Sequence, residues 1–332
     1  MDLVVNALFL KGSRENLSII LNKRSVKPYK DVYELPEFPL DFDHDASEVF
    51  KKVVKNDLSI SFDEENVFQL DKRVKQGRDL RGERYSYPFV KYLNNIDCQP
   101  SIGEWVKVKE IKELAFDHGC ILLEALGKFF YYMPGFEKAV AKINLPEIMG
   151  KANLSFEHES ITFFGGTFNP WHNGHLACLN ALLEAESPNS VLVIPDKNPW
   201  KVDSQFMGEC RFKKYMELCQ RLKNTPFAVY PGFFGKEDNN PTSSWITKVN
   251  IRRKNLLLGD DSFMDLPHWK NAKELIQALN CIYIVPRNTP INLLEKKIEQ
   301  LAKEYPSLSL TLLPNHEFQD VSSTEIRKNF NI

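Results

Sequence analysis

The stretch Ile161–Glu184, ITFFGGTFNPWHNGHLACLNALLE, permits few local structures. Ile161–Phe164 carries β-branched and aromatic side chains, which suit a strand. The pair Gly165–Gly166 is predicted to break that strand, and a polar loop continues through Asn169 and Pro170. Leu176, Leu179, Leu182 and Leu183 then recur at helical spacing. Strand, glycine turn and helix start bring backbone N–H groups and the positive end of a helix dipole to one point. Such a point is an anion site, most often for phosphate. His172 and His175 stand at the helix entrance with Gly174 between them. A dinucleotide fingerprint is a different pattern, G-x-G-x-x-G without a histidine pair.

Around this stretch the chain divides in two. Its 332 residues fit about two domains, and the expected limits are 1–135, a connector 136–159, and 160–332. In the first part Asp2–Leu10, Leu17–Asn22, Val67–Leu70, Tyr85–Leu93 and Glu104–Val108 read as strands, and Ala46–Asn56 and Ile121–Tyr131 as helices, an α+β order. In the second part Ser190–Pro195, Phe227–Tyr230, Asn255–Leu258, Cys281–Val285 and Ser309–Leu312 alternate with helices at Gly208–Leu222, Lys270–Leu279 and Asn292–Glu304. That alternation predicts an α/β fold, a doubly wound parallel sheet covered on both faces. Ligands on such sheets sit beyond the strand C-termini. The glycine turn, Asp196–Lys201, Gly259–Asp261 and Pro286–Arg287 should therefore share one crevice.

Charge narrows the partners. With 43 basic against 44 acidic residues, nothing argues for nucleic acid. No apolar run approaches a membrane span of ~20 residues. The opening MDLVVNALFLKG lacks a signal peptide's basic flank and cleavage site. The six cysteines show no C-x-x-C or metal-finger spacing. Together these lead us to expect a cytoplasmic protein with reduced thiols, free or in a homo-oligomer.

Gly165-Gly166-Thr167-Phe168-Asn169-Pro170-Trp171-His172-Asn173-Gly174-His175 resembles the nucleotide-binding signature of nicotinate/nicotinamide mononucleotide adenylyltransferases, of the H-x-G-H nucleotidyltransferase superfamily. Further pieces follow in the family's order. Asn198-Pro199-Trp200-Lys201 resembles P-P-H-K, with Trp200 in place of histidine. Leu258–Ser262 followed by His268-Trp269 resembles G-x-D-(S/N)…W, Val285-Pro286-Arg287 matches V-x-R, and Val321–Arg327 resembles I-S-S-T-x-I-R. The S-Y-T-x-D-T segment is replaced by Pro241–Lys248, with Ile246 at the aspartate position.

The resemblance implies a Rossmann-like nucleotidyltransferase that joins a pyridine mononucleotide phosphate to the α-phosphorus of ATP and expels pyrophosphate. It implies His172, His175 and Arg327 as catalytic groups, the histidines with charge variable near neutral pH. Gly165, Gly166, Thr167, Phe168, Lys201, Ser322, Ser323 and Thr324 would hold ATP, and Asp261, Trp269 and Arg287 the mononucleotide. Mg²⁺ would accompany the triphosphate. Each residue has a plainer alternative: a helix cap for Ser322, an interior tryptophan for Trp269, a solvated turn for Asp261. Zinc on the histidine pair lacks a third ligand of matching spacing.

In the first part Leu8–Gly12, Arg24, Pro28–Lys30, Glu34–Pro36, Gly77–Gly82 and Leu114–His118 are similar to Nudix domains, closest to Nudix-related regulators of NAD metabolism. The metal-binding R-E-x-x-E-E is missing: Val49–Asp57 supplies lysines and valines, so hydrolysis is not expected. Arg78 and Arg81 could contact a pyrophosphate of ADP-ribose or NAD, or lie in a solvated turn. His118 reads as a structural hydrogen-bonder. The expected function is adenylyl transfer in NAD biosynthesis, with a non-hydrolytic first domain that is either a sensor pocket for an ADP-ribose-like ligand or a domain kept only for assembly. The rivals are a non-catalytic nucleotide-binding regulator and transfer to another acceptor such as phosphopantetheine.

Overall fold

In the computed structural model of the chain, residues 2–12, 16–59, 67–93, 98–128, 160–186, 191–196, 208–222, 225, 227–249 and 252–330 are described. Two sheets organise them. The first is mixed. Its spine is β1 (Asp2–Lys11), paired in parallel with β6 (Arg84–Leu93) over ten residues. Antiparallel partners are β2 (Ser18–Lys23) and β4 (Glu37–Pro39) on β1, β5 (Val67–Gln69) on β6, and β3 (Tyr33–Glu34) and β7 (Glu104–Lys107) on β2. Because β1 is covered on both faces, it reads as an almost unbroken apolar run.

One face of that sheet receives α1 (Ala46–Asp57), whose start is capped by the Asp45 carboxylate accepting from the Ser47 and Glu48 N–H groups at 2.7 and 3.3 Å. Phe50 stacks between Phe9 and Phe89, with centroids at 5.5 and 5.2 Å. Val53 and Val54 are core residues here. The other face receives α2 (His118–Lys128), which begins three residues before its predicted start. This helix is buried on every side from His118 to Gly127, as an all-round apolar helix must be.

What buries its far side is the second half of the chain. α2 lies against α4 (Gly208–Leu222) and the helical turn α5 (Gly232–Gly235), after α3 (Asn173–Ala185) in chain order. The approach is close: a Cβ on Gly127 would stand 2.3 Å from the Gly232 Cα. Arg73 and Glu124, each 1 % exposed, form an ion pair at 2.5 Å, and Arg73 also donates to the Gly235 carbonyl at 2.9 Å. One apolar cluster runs from the first sheet through α2 into the second. The expected connector, 136–159, lies outside the described residues.

The second sheet contains β8 (Ser160–Gly166), β9 (Val191–Pro195), β10 (Phe227–Val229), β11 (Arg253–Gly259), β12 (Cys281–Val285) and β13 (Ser309–Leu312). All pair in parallel in the order β10-β9-β8-β11-β12-β13. The chain winds outward from β8 to β10, then crosses to β11 and winds the other way. This is the doubly wound order, whose crevice opens beyond β8 and β11 where the direction reverses. The predicted break at Gly165–Gly166 is not observed. Both glycines remain in β8, opposite Ile194 and Pro195, because β9 offers ladder partners to its last residue. The turn begins only at Thr167.

Candidate active site

After β8 the backbone turns at Phe168, a left-handed position at φ 47°. For a non-glycine residue this costs about 1–2 kcal/mol, and packing holds it there. The buried Phe168 ring lies 5.2 Å from Phe164, 5.1 Å from Trp171 and 5.0 Å edge-on from His175. His172 is the N-cap of α3. Its N–H donates to His175 Nδ1 at 3.2 Å, while the His175 N–H donates to the His172 carbonyl at 3.0 Å. The rings stack at 3.8 Å. Since Nδ1 of His175 accepts, the ring can donate only through Nε2. Gly174 is required between them, because a Cβ would come within 2.9 Å of His172 Nδ1 and 3.2 Å of the Phe318 carbonyl.

His172 is 8 % exposed, and its Nδ1 is buried with no hydrogen-bond partner among the described residues. Burial first, and the nearby Arg287 guanidinium second, push its pKa down to about 4. The expectation of a charge that varies near neutral pH is thus corrected for His172, which is neutral at pH 7.

The far end of the chain reaches the same turn. Helix α10 (Ser323–Phe330) starts beside it: the Ser323 hydroxyl donates to the Pro170 carbonyl at 3.0 Å, and Arg327 donates to the Asn169 carbonyl. Arg327 also reaches the Thr324 hydroxyl at 3.3 Å. Ser322 Oγ accepts the Glu325 N–H at 3.1 Å and so acts as a helix cap. The first turns of α3 and α10, and with them two helix dipoles, meet at Asn169–His172.

Other predicted residues divide. Arg287 joins the group: it donates to the Val321 carbonyl at 2.6 Å and the Gln319 carbonyl at 3.4 Å, and its charge adds to burial in lowering His172 and also His316. Asp261 is exposed and accepts the Ser262 N–H at 2.7 Å. Trp269 is half-buried and packs on the core at the end of a short turn. Gly165 is exposed, and Gly166 and Thr167 are half-buried at the strand end. Trp200 and Lys201 lie outside the described residues. Ile246, at the position of the family's aspartate, is fully buried, in α6 (Thr242–Ile246) beside Trp245, which packs on Phe163 and Phe233.

Sequence reasoning missed two groups. Lys214 of α4 donates to the Asn169 side-chain oxygen at 2.7 Å, bringing a cation to the turn; its place in an ordinary amphipathic helix gave no signal. Asp260, hidden beside Asp261, is the buried carboxylate of the pair at 2 % exposure.

In the first half, Arg78 pairs with Asp117 at 2.7 Å, and Arg81 forks onto Glu37 at 2.6 and 3.0 Å and onto Asp79. Arg84 also reaches Glu37, at 2.9 Å. His118 accepts the Leu35 N–H on Nδ1 at 3.0 Å and presents Nε2 to Glu37 at 3.4 Å, a structural role. Burial alone would raise the Glu37 carboxyl. The hydrogen bonds and charges of His118 and Arg81 outweigh it and hold the group well below the usual carboxylate range.

Residues 163–329 match the cytidylyltransferase-like family. A probable nicotinate-nucleotide adenylyltransferase of Caldicellulosiruptor bescii is 27 % identical over 174 residues, covering 51 % of this chain and 85 % of that one. One from Helicobacter pylori is 31 % identical over 140 residues, covering 40 % and 79 %. Among solved structures, the Plasmodium falciparum nicotinic acid mononucleotide adenylyltransferase complexed with NaAD aligns with 52 % of this chain and 83 % of its own, at 18 % identity and TM-score 0.39. The Nudix domain of Shewanella oneidensis NrtR complexed with ADP ribose aligns with 37 % of this chain and 84 % of its own, at 22 % identity and TM-score 0.31. With its parallel sheet, its paired histidines and this match over half its length, the chain belongs to the cytidylyltransferase-like nucleotidyltransferases and has nicotinate-nucleotide adenylyltransferases as its relatives.

Proposed function

We propose that the chain transfers the adenylyl group of ATP to nicotinate mononucleotide, or its nicotinamide counterpart, forming the dinucleotide and releasing pyrophosphate. The observation that carries this reading is the meeting of the His172–His175 turn with Ser323 and Arg327, two motifs about 150 residues apart in sequence joined by hydrogen bonds at 169–170. A phosphate oxygen of the mononucleotide attacks the α-phosphorus as the bond to the bridging oxygen breaks, and that oxygen leaves on pyrophosphate. Such a transfer asks for in-line positioning and neutralised charge rather than covalent help.

In this reading His172 and His175 donate to α-phosphate oxygens, His172 as a neutral imidazole. The start of α10, with Ser323, Thr324 and Arg327, takes the β- and γ-phosphates, aided by Ser322 and Lys201. Gly165, Gly166, Thr167 and Phe168 line the nucleotide, while Asp261, Trp269 and Arg287 face the mononucleotide. No three His, Cys, Asp or Glu side chains among the described residues gather to hold a metal ion. Mg²⁺ would accompany ATP, held mostly by its phosphates and water.

The first domain, 1–135, is read as non-hydrolytic. An ADP-ribose-like ligand there would have to displace Glu37 from Arg81 and Arg84, and calorimetry of the full chain with ADP-ribose tests that. The main test is pyrophosphate release from ATP with each mononucleotide in turn. Turnover with one or both is expected; no release with either overturns the proposal.

A further inference from the structure

The family resemblance leaves position 260 free, yet an aspartate fills it here and is sequestered. Asp260 opens the short helix α7 (Asp260–Asp265) directly after β11. Its Oδ2 accepts three consecutive backbone N–H groups, those of Arg287, Asn288 and Thr289 at 3.1, 2.8 and 2.6 Å. Its Oδ1 accepts the Asp261 N–H at 2.8 Å. Burial alone would raise this carboxyl; the bonds from Thr289, Arg287 and Asp261 outweigh it and keep it ionised. Three successive N–H groups form a concavity that would otherwise draw an outside anion. Here the chain closes it with its own carboxylate.

The consequence runs outward through Arg287. With its backbone fixed, the guanidinium reaches the Val321 and Gln319 carbonyls at 2.6 and 3.4 Å, while the Gln319 amide donates back to the Pro286 carbonyl at 3.3 Å. The segment so held carries the Phe318 carbonyl that faces Gly174, and two residues past Val321 begins α10, anchored by Ser323 on Pro170. Hydrogen bonds to residues 287–289 and from Arg287 to Val321, then two residues of chain, thus link a carboxylate at the end of β11 to the helix start facing the histidines.

We infer that Asp260 is a positioning residue: by holding the 287–289 turn it sets Arg287, and through Arg287 it fixes segment 316–323 and the start of α10 against the histidine turn. The inference rests on the adenylyl-transfer reading for its effect on rate, but not for its effect on structure. Asp260→Asn keeps the shape and puts an amide against N–H donors, so at least one of the four bonds is lost.

Hydrogen exchange on the full chain is expected to speed up about tenfold or more at 287–289 and also at 316–326. In turnover, KM for ATP is expected to rise about tenfold while kcat stays within about threefold, because α10 grips the triphosphate in ground and transition states alike. Faster exchange at 287–289 with unchanged protection at 316–326 overturns the inference, leaving Asp260 a local staple. Should wild type show no turnover, the functional reading fails and exchange alone decides this one. Should Asp260→Asn fail to fold, Arg287→Met removes both guanidinium bonds to the 319 and 321 carbonyls and must loosen 316–326; unchanged protection there likewise overturns it.

Discussion

Arginines occur in both halves of the molecule, and what they bond to differs. In the first half Arg24, Arg78, Arg81 and Arg84 meet Glu34, Asp117, Asp79 and Glu37, four cations against four carboxylates. In the second, Arg287 and Arg327 bond to carbonyl oxygens of Val321, Gln319 and Asn169. A carbonyl orients a guanidinium without cancelling its charge, whereas a carboxylate does both. The two clusters therefore differ in electrostatic meaning: the guanidinium charges of one are matched by carboxylates, and those of the other stand beside an imidazole nitrogen with no hydrogen-bond partner among the described residues.

The sharpest test removes Glu37. Glu37→Gln strips the shared carboxylate from Arg81, Arg84 and His118, and losing such half-buried, charge-assisted bonds costs about 1.5–3 kcal/mol each. Thermal unfolding should fall accordingly, and added phosphate should restore part of it in the variant while leaving wild type almost unmoved. Equal phosphate responses in both proteins would mean the first cluster is not closed by its own carboxylate.

Next in size is His172→Ala, expected to lower kcat by ~10²–10³ if the imidazole stabilises developing phosphate charge as an oxyanion donor does. A loss below about threefold removes it from the mechanism. Gly174→Ala acts on the same ring less severely. The methyl group crowds His172 Nδ1 and the Phe318 carbonyl, while alanine gains up to about 1 kcal/mol of helix propensity. Activity should drop about tenfold with little change in melting temperature; a parallel collapse of both would point to folding rather than ring placement.

A pH dependence also separates the halves. In the unfolded chain His172 takes up its proton near 6.5, in the folded chain near 4, so between those values the unfolded state binds more protons. Stability then falls as pH drops from about 6.5 toward 4, and does not change on this account above 6.5. Glu37, held low in the fold, contributes stability that is present above the ordinary glutamate pKa and lost only at more acid pH. Denaturant titrations of His172→Gln should be flatter than wild type between pH 6.5 and 4.5. Identical slopes would contradict the depressed imidazole.

Much of this was legible in the chain itself. The strand Ile161–Phe164, the helix entered at His172 and the apolar runs SVLVIP and CIYIV follow from side-chain period and branching, which act over a few residues. The glycine break failed because neighbours across the sheet decide where a strand stops, and β9 kept Gly165 and Gly166 in register. Asp260 and Asp261 are indistinguishable as letters; only the return of 287–289 beside α7 buries one and leaves the other exposed.

The sequence alone determined the parallel second sheet, the glycine–histidine turn and the α10 start, because each is written in a short run whose chemistry works locally. Tertiary structure alone decided that these ends meet and that His172 stays neutral. It also decided that α2 fuses the first sheet to the second, and that the arginines of one cluster meet carboxylates while those of the other meet carbonyl oxygens. Charge and burial depend on distances through space, and residues far apart in the chain fix those distances.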